Sequence, residues 1–222
     1  MKKEIVGLIP VKGESDRVQQ KNIRHFSGTN LLKLKLEQLK DVEGFSSIIV
    51  SSEDEKILKI ARENGYETHV RNPDYSTSEV PMSEVYSYIG NSITGDHIAW
   101  INVTNPLVTS AAYTEALKQY DSMSDSFDCL LSAYEIRSNI FWNNQPLNFK
   151  AYPWPRSQDL NPAIILSFAI SIRKREDLIK QATLVGSNPN FYLLDQIMSW
   201  DIDSEEDFEL CELIYQHKIS DN

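Results

Sequence analysis

The sequence predicts an α/β fold: a mostly parallel sheet with helices on both faces. Short apolar runs alternate with stretches of helical period along most of the chain, the pattern of repeated strand–helix–strand units. At 222 residues the chain suits one domain (1–222) with a real core and a small insertion. The first apolar run also leads straight into a loop rich in cations. Folds of this class bind ligands beyond the carboxyl ends of their strands, which is where that loop would lie.

Strands are expected at Ile5–Ile9, Ser47–Val50, Thr68–Val70, Ile98–Asn102, Cys129–Tyr134 and Ile164–Ile172. Leu31, Leu32, Leu34, Leu36 and Leu39 give a helix before the second strand. Ile57, Leu58, Ile60 and Ala61 give another after it, opened by the polar Asp54-Glu55-Lys56. Further helices fit residues 82–90, 111–122, 174–182 and 204–217. Residues 137–162 break the alternation: they hold Pro146, Pro153, Pro155 and Pro162 with Trp142 and Trp154, and no clear period. A stretch of this length reads as an inserted arm, suited to a subunit interface or a ligand wall.

A net charge of −10 argues against nonspecific nucleic-acid binding, which needs a basic surface. It leaves room for one small phosphorylated ligand in a locally positive loop. No apolar run reaches the roughly 18–20 residues of a membrane span, and the amino terminus lacks the apolar stretch of a secretory signal. The expectation is a cytoplasmic protein without membrane insertion. Cys129 and Cys211 read as packed thiols. His25, His69, His97 and His217 show no metal-ligand spacing.

The opening loop, IPVKGESDRVQQKNI (residues 9–23), is neither a Walker P-loop nor a dinucleotide fingerprint. It offers Lys12, Arg17 and Lys21 as cations, Gly13 for close backbone approach, Ser15 as a hydroxyl donor and Asn22. An Asn amide can meet both a pyrimidine carbonyl and an exocyclic amine, and ammonium groups offset phosphate charge. A solvated basic loop is the equal alternative.

Near the carboxyl end, SWDIDSEEDF places Asp201 and Asp203 either side of one apolar residue. In extended chain both carboxylates face the same way. Such a pair suits Mg²⁺, which prefers hard oxygen ligands. Asp203 with Glu206, or Ser204 with Asp207, could instead simply cap the helix that follows.

Taken together and in order, five segments make the chain resemble the cytidylyltransferases that activate acidic sugars, the acylneuraminate (CMP-sialic acid) synthetases and their nonulosonic-acid relatives. The opening loop is similar to I-P-A-R-G-G-S-x-x-[IV]-x-x-K-N. IIVSSEDEKILKIARENGYETHVRNP resembles the second strand–helix–strand turn and ends at Arg71. NVTNPLVTS matches Q-x-T-S-P-L-R, PRSQDLNP falls in the arm, and SWDIDSEEDF is similar to the D-I-D-T-x-x-D-[FL] metal motif.

The resemblance implies a Rossmann-like three-layer nucleotide-diphospho-sugar transferase fold and a homodimer whose inserted arm reaches the partner. The activity it implies is transfer of CMP from CTP to an acidic sugar with release of pyrophosphate. By the same resemblance, Lys12, Lys21 and Arg71 would be catalytic. Lys12, Gly13, Ser15, Arg17, Lys21, Asn22, Arg71 and Ser83 would bind nucleotide, with Asn22 on cytosine. Asn102, Thr104, Arg156, Gln158 and Ser167 would serve the acceptor, and Asp201 and Asp203 would hold Mg²⁺.

The chain departs from the pattern at three positions: Glu14 stands for the second loop Gly, Val108 for the Arg of P-L-R, and Phe168 for the Gly of N-G-A-x-Y. The last two changes fall on the sugar side, so a nucleotide half that is kept and an acceptor other than sialic acid are expected. A noncatalytic nucleotide-binding member of the fold and a metal-dependent glycosyltransferase are the alternatives.

Overall fold

The computed structural model describes residues 3–15 and 17–220, so both ends of the expected 1–222 domain lie outside the described residues. In chain order the elements are β1 (Ile5–Pro10), α1 (Leu31–Leu39), β2 (Ser47–Ser52), α2 (Glu55–Glu63), β3 (Glu67–Val70), α3 (Met82–Ser92), β4 (His97–Ile101) and α4 (Ser110–Ser122). They continue with β5 (Cys129–Ile136), β6 (Phe141–Trp142), β7 (Gln145–Pro146), β8 (Ala163–Lys174), α5 (Arg175–Gln181), β9 (Pro189–Leu193) and α6 (Glu205–Ser220).

Seven strands form one sheet in the order β3-β2-β1-β4-β8-β5-β9. The pairs β1–β2, β1–β4, β2–β3 and β5–β9 are parallel, whereas β8 runs antiparallel to both β4 and β5. Successive side chains of a strand face opposite sides, and the two faces of β1 show it. Ile5 and Ile9 join one core with Leu32 and Leu36 of α1, Ile57 of α2 and Tyr113 of α4. Val6 and Leu8 join another with Val85 and Ile89 of α3 and Leu178 of α5. Helices therefore cover both faces, as expected.

The helix starts follow their polar residues. Asn30 accepts from Lys33 N, Asp54 from Lys56 N and Thr109 from Ala112 N, each satisfying an amide with no intrahelical partner. A third cluster packs α6 onto the opening loop: Val18, Phe26, Leu31 and Leu107 enclose Ile202, Phe208 and Cys211. Burying one such side chain stabilises by about 1.5–3 kcal/mol. Ile202 thus anchors the segment that carries Asp201 and Asp203.

Beyond shifts of a few residues at element ends, β9 and the arm hairpin depart from the sequence expectation. β9 was not anticipated; it begins on Pro189, and its half-buried residues lack the apolar run of a central strand. The arm carries a small hairpin, β6–β7, where no period was legible. β4 ends at Ile101, one residue short of the expected end, and the Asn102 side chain beyond it accepts from Trp100 Nε1 at 3.2 Å.

Candidate functional site

β1 connects through α1 to β2 on one side and pairs with β4 on the other. The strand order therefore reverses between β1 and β4, and a crevice is expected just beyond their carboxyl ends. A polar pocket of about 240 Å³ lies there, lined by Pro10, Lys12, Glu14, Ser15, Arg17, Lys21 and Asn22 from the opening loop and by Asn102, Val103 and Thr104 from the loop after β4. Lys12 and Glu14 also line a neighbouring pocket with Gly13, Glu53, Asp54 and Ser76–Ser78. Beyond β8, a third pocket of about 460 Å³ is bounded by Ser167, Phe168, Trp200, Asp201 and Asp203.

The opening loop is held from behind. Glu53, next to the end of β2, accepts from Gly13 N through Oε1 at 2.7 Å and meets Arg71 Nη2 through Oε2 at 3.2 Å. Arg71 Nη2 also donates to Val11 O at 2.5 Å. Burial pushes the Glu53 carboxyl up, but the Gly13 N–H and the Arg71 guanidinium, among other partners, outweigh it and hold it below the usual range. Arg71, at 2% exposure, faces this network, whereas the resemblance implies a place on the nucleotide. Gly13 is needed for a contact within the chain: a Cβ there would stand 2.8 Å from both Cβ and Oδ2 of Asp54. Asn22 Nδ2 donates to Lys12 O at 3.0 Å, leaving its Oδ1 buried without a partner.

The two ends of the chain meet at this loop. Lys21 Nζ donates to Ile202 O at 2.6 Å, and Arg17 Nη2 lies 2.7 Å from Asp203 Oδ1. Burial lowers the Lys21 pKa while Asp201 and Asp203 oppose it. Burial likewise raises the Asp201 carboxyl; the Thr104 hydroxyl that bonds it pulls down and Asp203 pushes up. Helix capping is handled elsewhere: Ser204 Oγ accepts from Asp207 N at 3.1 Å and Asp207 Oδ2 accepts from Ser204 N at 2.9 Å, a reciprocal box. Asp201 and Asp203 are released from the capping role, and Asp201 Oδ1 is buried without a partner.

That orphaned oxygen fits a cation. Among the described residues no group of three or more His, Cys, Asp or Glu could hold a metal. Mg²⁺, however, is commonly held by one or two carboxylates, with waters and substrate phosphates completing the octahedron. The Asp201–Asp203 pair is of that kind.

Other predicted residues fall in different places. Thr104 lines the first pocket and its carbonyl accepts from Ile202 N at 2.9 Å. Ser167 lines the third pocket and donates to Ser132 Oγ at 2.9 Å. Ser83 is exposed on the first turn of α3 and lines none of the three pockets, whereas Ser76, Thr77 and Ser78 line the second. Arg156 and Gln158 are exposed on the arm and line none of these three pockets; Arg156 pairs with Asp159 at 2.6 and 2.9 Å. Glu14 is exposed and has no ion pair among the described residues, since Arg17 is engaged by Asp203. Val108 is buried in the core, so no cation replaces the expected Arg there.

Sequence reasoning missed Glu53, Asn105 and Lys35. Asn105 Nδ2 donates to Trp200 O at 3.1 Å and reaches Ser167 O at 3.4 Å, tying the loop after β4 to both walls of the third pocket. Lys35 Nζ donates to Asn105 O at 2.9 Å and also meets Tyr113 Oη. Its signal was present: Lys35 lies four residues from both Leu31 and Leu39, on the apolar stripe of α1.

The sequence model of cytidylyltransferases matches residues 6–220. The chain belongs to the cytidylyltransferase family. Relatives of this cytidylyltransferase include the post-translational flagellin modification protein B of Campylobacter coli, 25% identical over 97% of this chain and 96% of that one. The pseudaminic acid cytidylyltransferase of Campylobacter jejuni subsp. jejuni is 25% identical over 94% of this chain and 95% of the other. The N-acylneuraminate cytidylyltransferase A of Danio rerio is 26% identical over 95% of this chain, which spans 50% of the fish protein.

Among solved structures, a CMP:2-keto-3-deoxy-manno-octonic acid synthetase complexed with CTP superposes with a TM-score of 0.71 at 13% identity, covering 97% of this chain and 99% of the other. The 4-diphosphocytidyl-2C-methyl-D-erythritol synthase of Anaerococcus prevotii gives 0.69 at 10% identity, with 96% of each chain covered. These likenesses show the fold, an α/β sheet flanked by helices. No helix among the described residues is long and apolar enough to cross a membrane.

Proposed function

We propose that this cytidylyltransferase transfers CMP from CTP to an acidic sugar of the nonulosonic type, in the synthesis of surface polysaccharide or glycoconjugate. The observation that carries the reading is the meeting of Lys21, Arg17, Asp201 and Asp203 where the first and third pockets adjoin. The first pocket, with three cations, takes the triphosphate. Asn22 Oδ1, which lacks a partner in the chain, accepts from the exocyclic amine of cytosine. The hydroxyl-lined pocket beside it takes the rest of the nucleoside. The third pocket takes the acceptor.

In the reaction a sugar hydroxyl attacks the α-phosphorus. A new P–O bond forms between the sugar oxygen and the α-phosphorus, the bond to the β-phosphate bridge breaks, pyrophosphate leaves, and the hydroxyl proton passes to water. Charge builds on nonbridging and leaving oxygens, so positioning and charge stabilisation do the catalysis. Lys12 and Lys21 meet that charge, and Ser15 and Thr104 orient the phosphates and the acceptor side. Arg71 acts through Val11 and Glu53 as a positioning residue. Asp201 and Asp203 would hold Mg²⁺, which when bound would neutralise phosphate charge at the reacting centre.

A second copy of the chain is the proposed cover of the arm. Tyr152 is 91% exposed, Trp142 69% and Trp154 66%, while Phe141, Phe149 and Trp154 pack edge to face into a ridge. Large exposed apolar ridges mark interaction surfaces.

The test is pyrophosphate release with CTP, Mg²⁺ and a panel of 2-keto sugar acids. Turnover with at least one of them, and none with CTP alone, is expected. CTP binding without turnover of any acid would leave a noncatalytic nucleotide-binding protein in its place.

A further inference from the structure

The geometry points to Phe168 as a specificity-determining residue. It selects sugar acids that present an acylated or deoxygenated face over polyhydroxylated ones. This rests on the acceptor reading of the third pocket and adds to it a substrate class and the side chain that reads it.

Phe168 adopts φ +53°, a backbone state that Gly takes freely and bulky residues avoid. It sits in β8 where the pairing with β5 slips: Leu131 pairs with Ser171, but Ala133 pairs with Leu166. One residue of β5, Ser132, therefore faces several of β8. Ser132 Oγ accepts from Ile170 N at 3.0 Å and from Ser167 Oγ at 2.9 Å, and Asn105 Nδ2 reaches Ser167 O. The bulge is pinned on three sides, so the backbone state persists whichever residue occupies it. Bulges of this kind re-aim side chains beside functional sites, and strained residues held by their surroundings cluster there.

The chemistry of the wall sets the choice. Tyr134, Ile165, Leu166, Phe168 and Trp200 supply aromatic and aliphatic surface. Among the described residues, the only charged side chains lining the pocket are Asp201 and Asp203, which stand on the phosphate side. Trp200 is fixed by its Nε1–H donating to Asp207 at 3.2 Å. A sugar hydroxyl pressed on the Phe168 ring would lose water without gaining a partner, which costs binding. An acetamido methyl or a deoxy carbon on the same ring gains burial. Gln196 and the Ser199 hydroxyl, which has no partner among the described residues, remain to meet an amide or the ring oxygens.

The test compares kcat/KM for an acetamido-deoxy 2-keto sugar acid with that for a 2-keto sugar acid bearing hydroxyls at the same positions. Wild-type protein is measured beside Phe168→Gly and Phe168→Asn, both of which tolerate the positive φ and should fold. The wild type is expected to prefer the acylated acid. The two variants should lose about tenfold of that preference, with KM for CTP unchanged. An unchanged ratio in both variants, with turnover intact, overturns the role of Phe168 and leaves the transferase reading standing. If the wild type turns over neither acid, the transferase reading fails, and calorimetry of the same acids decides on Phe168. Tighter wild-type binding of the acylated acid, lost in Phe168→Gly, supports it; equal binding or none overturns it.

Discussion

Lys21 Nζ donates to the carbonyl of Ile202 at 2.6 Å across 181 residues of sequence. The bond brings the cationic opening loop onto the acidic closing motif, and Arg17 repeats the link by pairing with Asp203. Ile202 itself is fully buried beneath them, so the closing motif is anchored by packing and oriented by charge. Lys21 is buried, and removing it leaves the Asp201 and Asp203 carboxylates without their nearest ammonium.

Lys21→Met is expected to lower turnover by about 10²- to 10³-fold, the scale for losing one preorganised charge donor. Steady-state pyrophosphate release measures it. A loss below threefold would remove Lys21 from the centre.

Gly13→Ala places a Cβ against Asp54 and must displace the loop from Glu53. The expected effect is a rise of about tenfold in KM for CTP, since misplacement on the ångström scale can cost up to about 10²-fold. Unchanged CTP kinetics would mean that the loop absorbs the methyl without moving its cations.

Lys35 predicts a pH dependence of stability. Its burial lowers the pKa from 10.5 to about 7, so between those values the unfolded chain holds more protons than the folded one. Stability should therefore rise with pH from about 7 toward 10, while below 7 the full cost of a buried ammonium is present. Denaturant unfolding at pH 7 and 9.5 should show a smaller difference for Lys35→Met than for the wild type. Equal differences would show that Lys35 does not titrate in this window.

The arm makes a prediction about mass. Wild-type protein should sediment as a dimer, and Tyr152→Ser combined with Trp154→Ser should give a monomer. A wild-type monomer, or a dimer unaffected by the pair, would place the interface elsewhere or remove it.

Legibility in the sequence followed locality. The four parallel strands β1–β4 and their helices could be read because period, caps and turns lie within a few residues, as Asp54 at the start of α2 illustrates. The antiparallel course of β8 could not, because it depends on how the arm returns the chain. Residue types at the site were legible, but burial was not. Arg71 and Lys21 are both basic residues near apolar strands or loops, yet one is held behind the loop and the other lies on the first pocket. Lys35 and Asn105 were overlooked because their partners lie 70 and 95 residues away. Phe168 could be flagged as a departure, but its positive φ and the bulge that holds it appear only in three dimensions. At φ +53° a non-glycine residue costs on the order of 1–3 kcal/mol.

Asp201 and Asp203, brought to Lys21, are proposed as a metal-dependent nucleotidyl-transfer centre. Pyrophosphate release from CTP and an accepted sugar acid, titrated with Mg²⁺ in the wild type and in Asp201→Asn, tests it most directly. The account predicts Mg²⁺-dependent turnover in the wild type and a loss of about 10²-fold or more in the variant. Undiminished Mg²⁺-dependent turnover in Asp201→Asn would contradict it.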